Sequence, residues 1–134
     1  MILPNNATVA VIDGGGMRLF RNKGHEPSID LVALPAVAVR GRNAGSGGRH
    51  HSSTANPDAR RLHEDDFAAA ASGILNQAAL DGSIERLLVI ADARTLGEIR
   101  RNLRPVVTAQ VIGELVKDVV DRSEADIEAI IRAA

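Results

Sequence analysis

The sequence predicts an α/β fold: a mixed five-stranded sheet with the element order β-β-β-α-β-α-β-α. Three observations carry this reading. The first part of the chain holds short β-branched runs punctuated by glycine and proline turns, as hairpin strands do. A long stretch ending at Leu80 places apolar residues at helical spacing, and Leu87 to Ala91 is a continuous apolar run without alternation, the mark of a strand covered on both faces.

The elements follow in order. Val9 to Ile12 is a β-branched run that ends at Asp13-Gly14-Gly15-Gly16, and Met17-Arg18-Leu19-Phe20-Arg21 then alternates charge with bulk, so the first two strands pair across a glycine turn. After the polar turn Asn22 to Pro27, Ile29 to Val39 resumes an extended apolar pattern. Pro35 interrupts it, and because proline cannot donate to a ladder this third strand belongs at an edge or a bulge. Phe67, Ala70, Ala71, Ile74, Leu75, Ala78 and Ala79 line one face of a helix running from near Asp58 to Leu80, its alanines thin enough for close packing on a sheet.

Leu87 to Ala91 is the candidate central strand. Thr95-Leu96-Gly97-Glu98 has the capping-box pattern, so Thr95 is the expected start of a short helix reaching Leu103 before Pro105. Val107, Ala109, Val111, Gly113 and Leu115 alternate with more polar neighbours as a fifth strand. Ser123-Glu124-Ala125-Asp126 opens a last helix with Ile127, Ile130, Ile131 and Ala134 on one face. One domain over 1–134 is expected, with a long Gly/Arg-rich loop at about 41–57.

Composition narrows the function classes. The 134 residues are 45% hydrophobic and 25% charged, and Phe20 and Phe67 are the only aromatic residues, so aromatic platforms for stacking single-stranded bases are lacking. Sixteen basic against 17 acidic residues leave a net charge of −1, which gives no global attraction to nucleic acid or to an anionic membrane. Without cysteine there is no thiolate zinc site, no disulfide and no cysteine nucleophile. The first residues have no basic region leading into a long apolar run, and no stretch approaches the about 20 apolar residues of a membrane span. A cytoplasmic protein without a cofactor is expected.

The loop carries the local charge. Arg40, Arg42, Arg49, Arg60 and Arg61 stand against Asp58, a local excess of four positive charges, and His50 and His51 add charge at lower pH. Such a segment suits contact with an RNA backbone, which needs donors and flexibility; the competing reading is a solvated loop.

Four other groups have sharp and bland readings. Asp13, Glu64 and Asp92 can be compared with the converging carboxylates of a two-metal nuclease, whereas strand-end aspartates also serve turns and helix caps. The histidines His50, His51 and His63 lack a spacing that orients metal ligands, and Gly14-Gly15-Gly16 leads into a strand rather than a helix, which makes it a hairpin turn rather than a phosphate loop. Arg94 and Thr95 put a guanidinium and a helix start at the carboxyl end of the central strand, where open α/β sheets bind ligands. Capping by Thr95 and an ion pair from Arg94 to Asp92 or Glu98 is the structural alternative.

The run Leu87-Leu88-Val89-Ile90-Ala91-Asp92-Ala93-Arg94-Thr95-Leu96-Gly97-Glu98-Ile99-Arg100 is joined, in order along the chain, by Val11-Ile12-Asp13-Gly14, Phe67-Ala68 and Gly113-Glu114-Leu115-Val116-Lys117-Asp118. Together they resemble the bacterial host attachment protein family. The order of elements also resembles the ribonuclease-H-like topology and the middle, peptide-releasing domain of archaeal and eukaryotic release factors. That resemblance implies an accessory of translation or ribosome rescue, with the ribosome or tRNA as partner. In those factors a Gly-Gly-Gln loop between a strand and the long helix enters the peptidyl-transferase centre.

The corresponding loop here holds Gly47-Gly48-Arg49. Gly47 and Gly48 supply backbone freedom, but arginine donates only and cannot copy the amide of glutamine. The resemblance therefore does not carry hydrolysis over, and no catalytic residue is assigned. Arg42, Gly47, Gly48, Arg49 and Arg60 are the expected RNA contacts. The alternative is a non-catalytic module that binds a protein partner, including a role in attachment to host cells.

Overall fold

The computed structural model describes residues 1–39 and 57–134, with Pro57, Asp58 and Arg60 described by their backbone alone. Five strands form one sheet in the order β3-β2-β1-β4-β5. They are β1 (Thr8–Ile12), β2 (Met17–Asn22), β3 (Leu31–Ala33), β4 (Leu87–Ala91) and β5 (Val111–Val116). The helices are α1 (Pro57–Leu80), α2 (Ala93–Asn102), α3 (Pro105–Thr108) and α4 (Glu124–Ala133). The predicted mixed α/β architecture is present, with the short α3 added.

The local sequence explains the pairing. The glycine turn at Gly14–Gly16 brings β2 back antiparallel on β1, from Ile12 opposite Met17 to Thr8 opposite Arg21. β4 lies parallel to β1 on its other side, with Ile12 opposite Ala91, and β5 is parallel to β4. Parallel neighbours need long crossovers, which α1 and α2 supply.

Helices cover both faces. On one, Ala68, Ala71 and Leu75 of α1, Leu96 and Ile99 of α2 and Val107 of α3 pack on Ala10, Ile12, Leu87, Val89 and Ala91. On the other, Ile127 and Ile131 of α4 join Leu3, Val119, Val9, Val11, Phe20, Leu88 and Ile90. Every residue of β1 and β4 is therefore buried, which is what an apolar run without alternation requires.

Three boundaries differ from expectation. The third strand is confined to Leu31–Ala33 within the extended stretch Ile29–Val39; one further bond, from the Leu34 N–H to the Leu19 carbonyl at 2.8 Å, precedes Pro35. The fifth strand starts at Val111 rather than Val107. Proline at the first helical position has no N–H to satisfy, and the Val107 and Thr108 N–H groups both donate to the Arg104 carbonyl, closing α3 and sending Val107 into the core. The helix after β4 is capped by Asp92, three residues earlier than the Thr95 pattern implied.

Among the described residues, no helix is long and apolar enough to cross a membrane.

Candidate functional site at the carboxyl edge of the sheet

Parallel β1 and β4 end side by side, so the residues that follow them, Asp13 and Asp92, emerge on one edge. α1 must run back from this edge to feed β4 at the other, and its opening turns carry His63 and Glu64 over the β1–β2 turn. The segment between β5 and α4 closes the third side with Asp118, Val120 and Asp121. An open cleft of about 590 Å³ results, lined by these groups and by Gly14, Gly15 and Gly16.

Hydrogen bonds hold the two strand ends and the loop before α4 in place. Asp13 Oδ1 accepts from the Gly15 N–H at 2.9 Å and the Gly16 N–H at 2.6 Å, while the Asp13 N–H donates to the Gly16 carbonyl at 3.0 Å. This is the aspartate-held turn that lets a hairpin close in so few residues. Asp92 Oδ2 accepts from the Thr95 N–H at 3.2 Å, with the extended backbone of an N-cap. Arg18 donates from Nη1 to the carbonyls of Val120 at 2.9 Å and Arg122 at 2.6 Å, with its guanidinium 4.9 Å from the Phe20 ring centre. The strand β2 thereby pins the acidic loop in place.

The residues singled out by sequence fall into three groups. Asp13, Glu64 and Asp92 come together in the cleft, and two of the three already serve a turn and a cap. Among the described residues, no group of three or more His, Asp or Glu side chains is spaced to hold a metal ion. Arg94 and Thr95 lie in the first turn of α2. Thr95 is buried and is the capped residue rather than the cap. Arg94 pairs with neither Asp92 nor Glu98: its Nη2 donates to Asp65 of α1, 3.0 Å from Oδ1 and 2.9 Å from Oδ2, and Glu98 is taken by Arg101. The reason is reach, since Asp92 is turned back under its own helix by the cap.

Arg42, Gly47, Gly48 and Arg49 lie outside the described residues. The backbone of Arg60 is in the first turn of α1, so that residue is carried by the helix. Sequence reasoning missed Asp118 and Asp121, which no spacing connects to Asp13 or Asp92; the one signal was that Asp118 ends the strand motif Gly113 to Asp118.

What this arrangement can do chemically follows from its charge. Five carboxylates line the cleft, so its field repels a phosphate backbone, and the arginines that would attract one belong to the segment leading into α1.

Comparison with known proteins adds one finding. The family model described as bacterial archaeo-eukaryotic release factor family 12 matches residues 6–131. No curated protein matches the chain. The matched span takes in all five strands and runs into α4, so it covers the sheet, both crossovers and every wall of the cleft. It is the release-factor side of the resemblance that this match carries, and on it the chain belongs to bacterial archaeo-eukaryotic release factor family 12.

Proposed function

We propose that the protein is a release-factor-like accessory of translation or ribosome rescue, acting in the cytoplasm and contacting RNA through the basic segment from Gly41 to Arg61. The observation that carries this reading is membership of a release-factor family over residues 6–131. The position of the segment supports it, since it joins β3 to α1, the place that the Gly-Gly-Gln loop occupies in release factors. Charge supports it too. Arg42, Arg49 and Arg60 can pair with phosphates, and Gly47 and Gly48 allow the backbone to come close, whereas the neighbouring cleft is acidic. Asp92, Arg94 and Thr95 act as structural residues in this reading, and hydrolysis is not part of it.

Co-sedimentation with ribosomes at low and high salt, with and without nuclease, tests the proposal. Association that weakens with salt and in an Arg42→Ala, Arg49→Ala, Arg60→Ala triple variant supports it. Absence from ribosomal fractions at low salt removes it.

A second reading, a protein-interaction module that includes a role in attachment to host cells, rests on the outer edge of β5, where Ile112 and Val116 are exposed. Capture of one defined protein partner that survives nuclease treatment and is lost in Val116→Lys favours it.

A further inference from the structure

At the opposite end of the sheet from the acidic cleft, the last turns of α1 and the α3 turn enclose a cavity of about 350 Å³, within the range of small-molecule sites. We propose that this cavity binds a small organic anion with an apolar body and an N–H or O–H donor beside its charge.

Two of the polar side chains around it are already used. Asn76 is engaged at both polar atoms: its Nδ2 donates to the Asn102 carbonyl at 3.0 Å and its Oδ1 accepts from the Arg104 N–H at 3.0 Å. That clamp fixes the turn between α2 and α3. Gln77 is also engaged, donating from Nε2 to Asp81 Oδ1 at 3.0 Å.

Two lining groups are not. The Arg104 guanidinium has no hydrogen bond or ion pair among the described residues, although the Arg104 backbone is held by Asn76. Gln110 is anchored by its backbone, whose N–H donates to the Val107 carbonyl at 2.8 Å and whose carbonyl accepts from the Leu87 N–H at 3.0 Å. Its side-chain Oε1 is buried and has no partner. Buried polar atoms are almost always paired, so the unpaired oxygen favours a turn of the Gln110 side chain toward the cavity, where a ligand donor pairs it.

The remaining wall is apolar and unusually open. Leu80 is 81% exposed and Val106 64% exposed, large side chains that a bound apolar body would cover. An anionic group on Arg104, a donor to Gln110 and an apolar body against Leu80 and Val106 together use the two unspent groups and the apolar wall. The site shares no residue with the acidic cleft or with the basic segment, so it does not depend on the translational reading.

The probe is 8-anilinonaphthalene-1-sulfonate, which combines a sulfonate, an aryl N–H and fused rings. Titrated into the full chain and followed by ¹H–¹⁵N spectra, it is expected to move the signals of Asn76, Leu80, Arg104 and Gln110, including the Gln110 side-chain amide. Arg104→Gln weakens binding by about tenfold, the loss of one charge-assisted bond, while Arg101→Gln, outside the cavity, leaves it unchanged. Gln110→Leu weakens it by about threefold, and Gln110→Glu, which keeps the shape and adds a repelling charge, weakens it further. Equal affinity in Arg104→Gln, shifts centred on other residues, or no shifts at about 1 mM probe would each overturn the proposal.

Discussion

The Glu64 carboxylate lies directly over Gly14, so close that a β-carbon at that position would overlap its carboxyl group. This contact seats the long helix α1 on the turn that joins β1 to β2. The obstructing atoms are the end of a flexible side chain, so Gly14→Ala is expected to swing Glu64 aside and cost under about 1 kcal/mol. Gly24→Ala is the contrast. A β-carbon there meets the Ser28 carbonyl oxygen at 2.8 Å and the Asp30 nitrogen at 2.9 Å, backbone atoms that cannot rotate away. It is expected to lose about 1–3 kcal/mol, and urea unfolding of the two variants checks the difference.

Asp92 is the N-cap of α2, and the cap rather than the cleft is its structural work. Asp92→Ala is expected to lose about 1 kcal/mol and Asp92→Asn much less, because asparagine caps nearly as well. Equal losses in thermal melts would show that the charge of Asp92, and not its cap bond, is what counts.

The Arg94–Asp65 ion pair joins two helices but sits in water, with the side chains 48% and 30% exposed. A double-mutant cycle is expected to give a coupling of about 0.2–1 kcal/mol. In 1 M salt, where the screening length falls to about 3 Å, most of that coupling should disappear.

Asn22 is the polar centre of the buried side of the molecule. Fully buried, it accepts at Oδ1 from the Gly24 and Asp30 N–H groups, each at 2.9 Å, and donates from Nδ2 to the Leu3 carbonyl at 3.0 Å and the Pro4 carbonyl at 3.2 Å. Asn22→Leu takes the side-chain partner from the Leu3 carbonyl and from the Gly24 and Asp30 N–H groups, while the Pro4 carbonyl keeps the Ala7 N–H, and is expected to cost about 3 kcal/mol or more. Arg100→Ala is the surface control. Hydrogen bonding to Glu114 first, and its charge second, raise the Arg100 pKa above the usual value, yet this exposed group is expected to leave the unfolding midpoint almost unchanged.

The order of elements could be read from the chain because β1, β4 and the long helix α1 have unmistakable patterns: unbroken apolar runs for the buried strands, helical spacing of Ala71 and Leu75 for α1. The Ser123 cap on α4 was legible for the same reason, since its hydroxyl oxygen accepts from the Asp126 N–H at 3.1 Å as the four-residue pattern demands. What misled was competition between neighbouring signals. Thr95 and Asp92 are both good caps, and the one that lies outside the helix won. Val107 and Val111 have the same parity, so alternation ran on through a proline turn that packing had turned into a helix. The cleft was half legible, through Asp13 and Asp92 at strand ends. The cavity around Gln110 was not, because its walls come from α1, the α3 turn and the residue before β5, and no spacing in the chain connects them.

The two faces of the sheet differ in where along the chain their covers come from. One is covered by α1, α2 and α3, consecutive elements between Pro57 and Thr108. The other is sealed by Leu3 and Ala7 together with Ile127 and Ile131, from opposite ends of the sequence. During synthesis the first face can therefore close while Phe20, Leu88 and Ile90 still lack the cover that α4 adds. A nascent chain stopped before Glu124 carries a sheet with one face incompletely covered, apolar surface of the kind that invites chaperones and aggregation, and α4 is the step that ends that exposure.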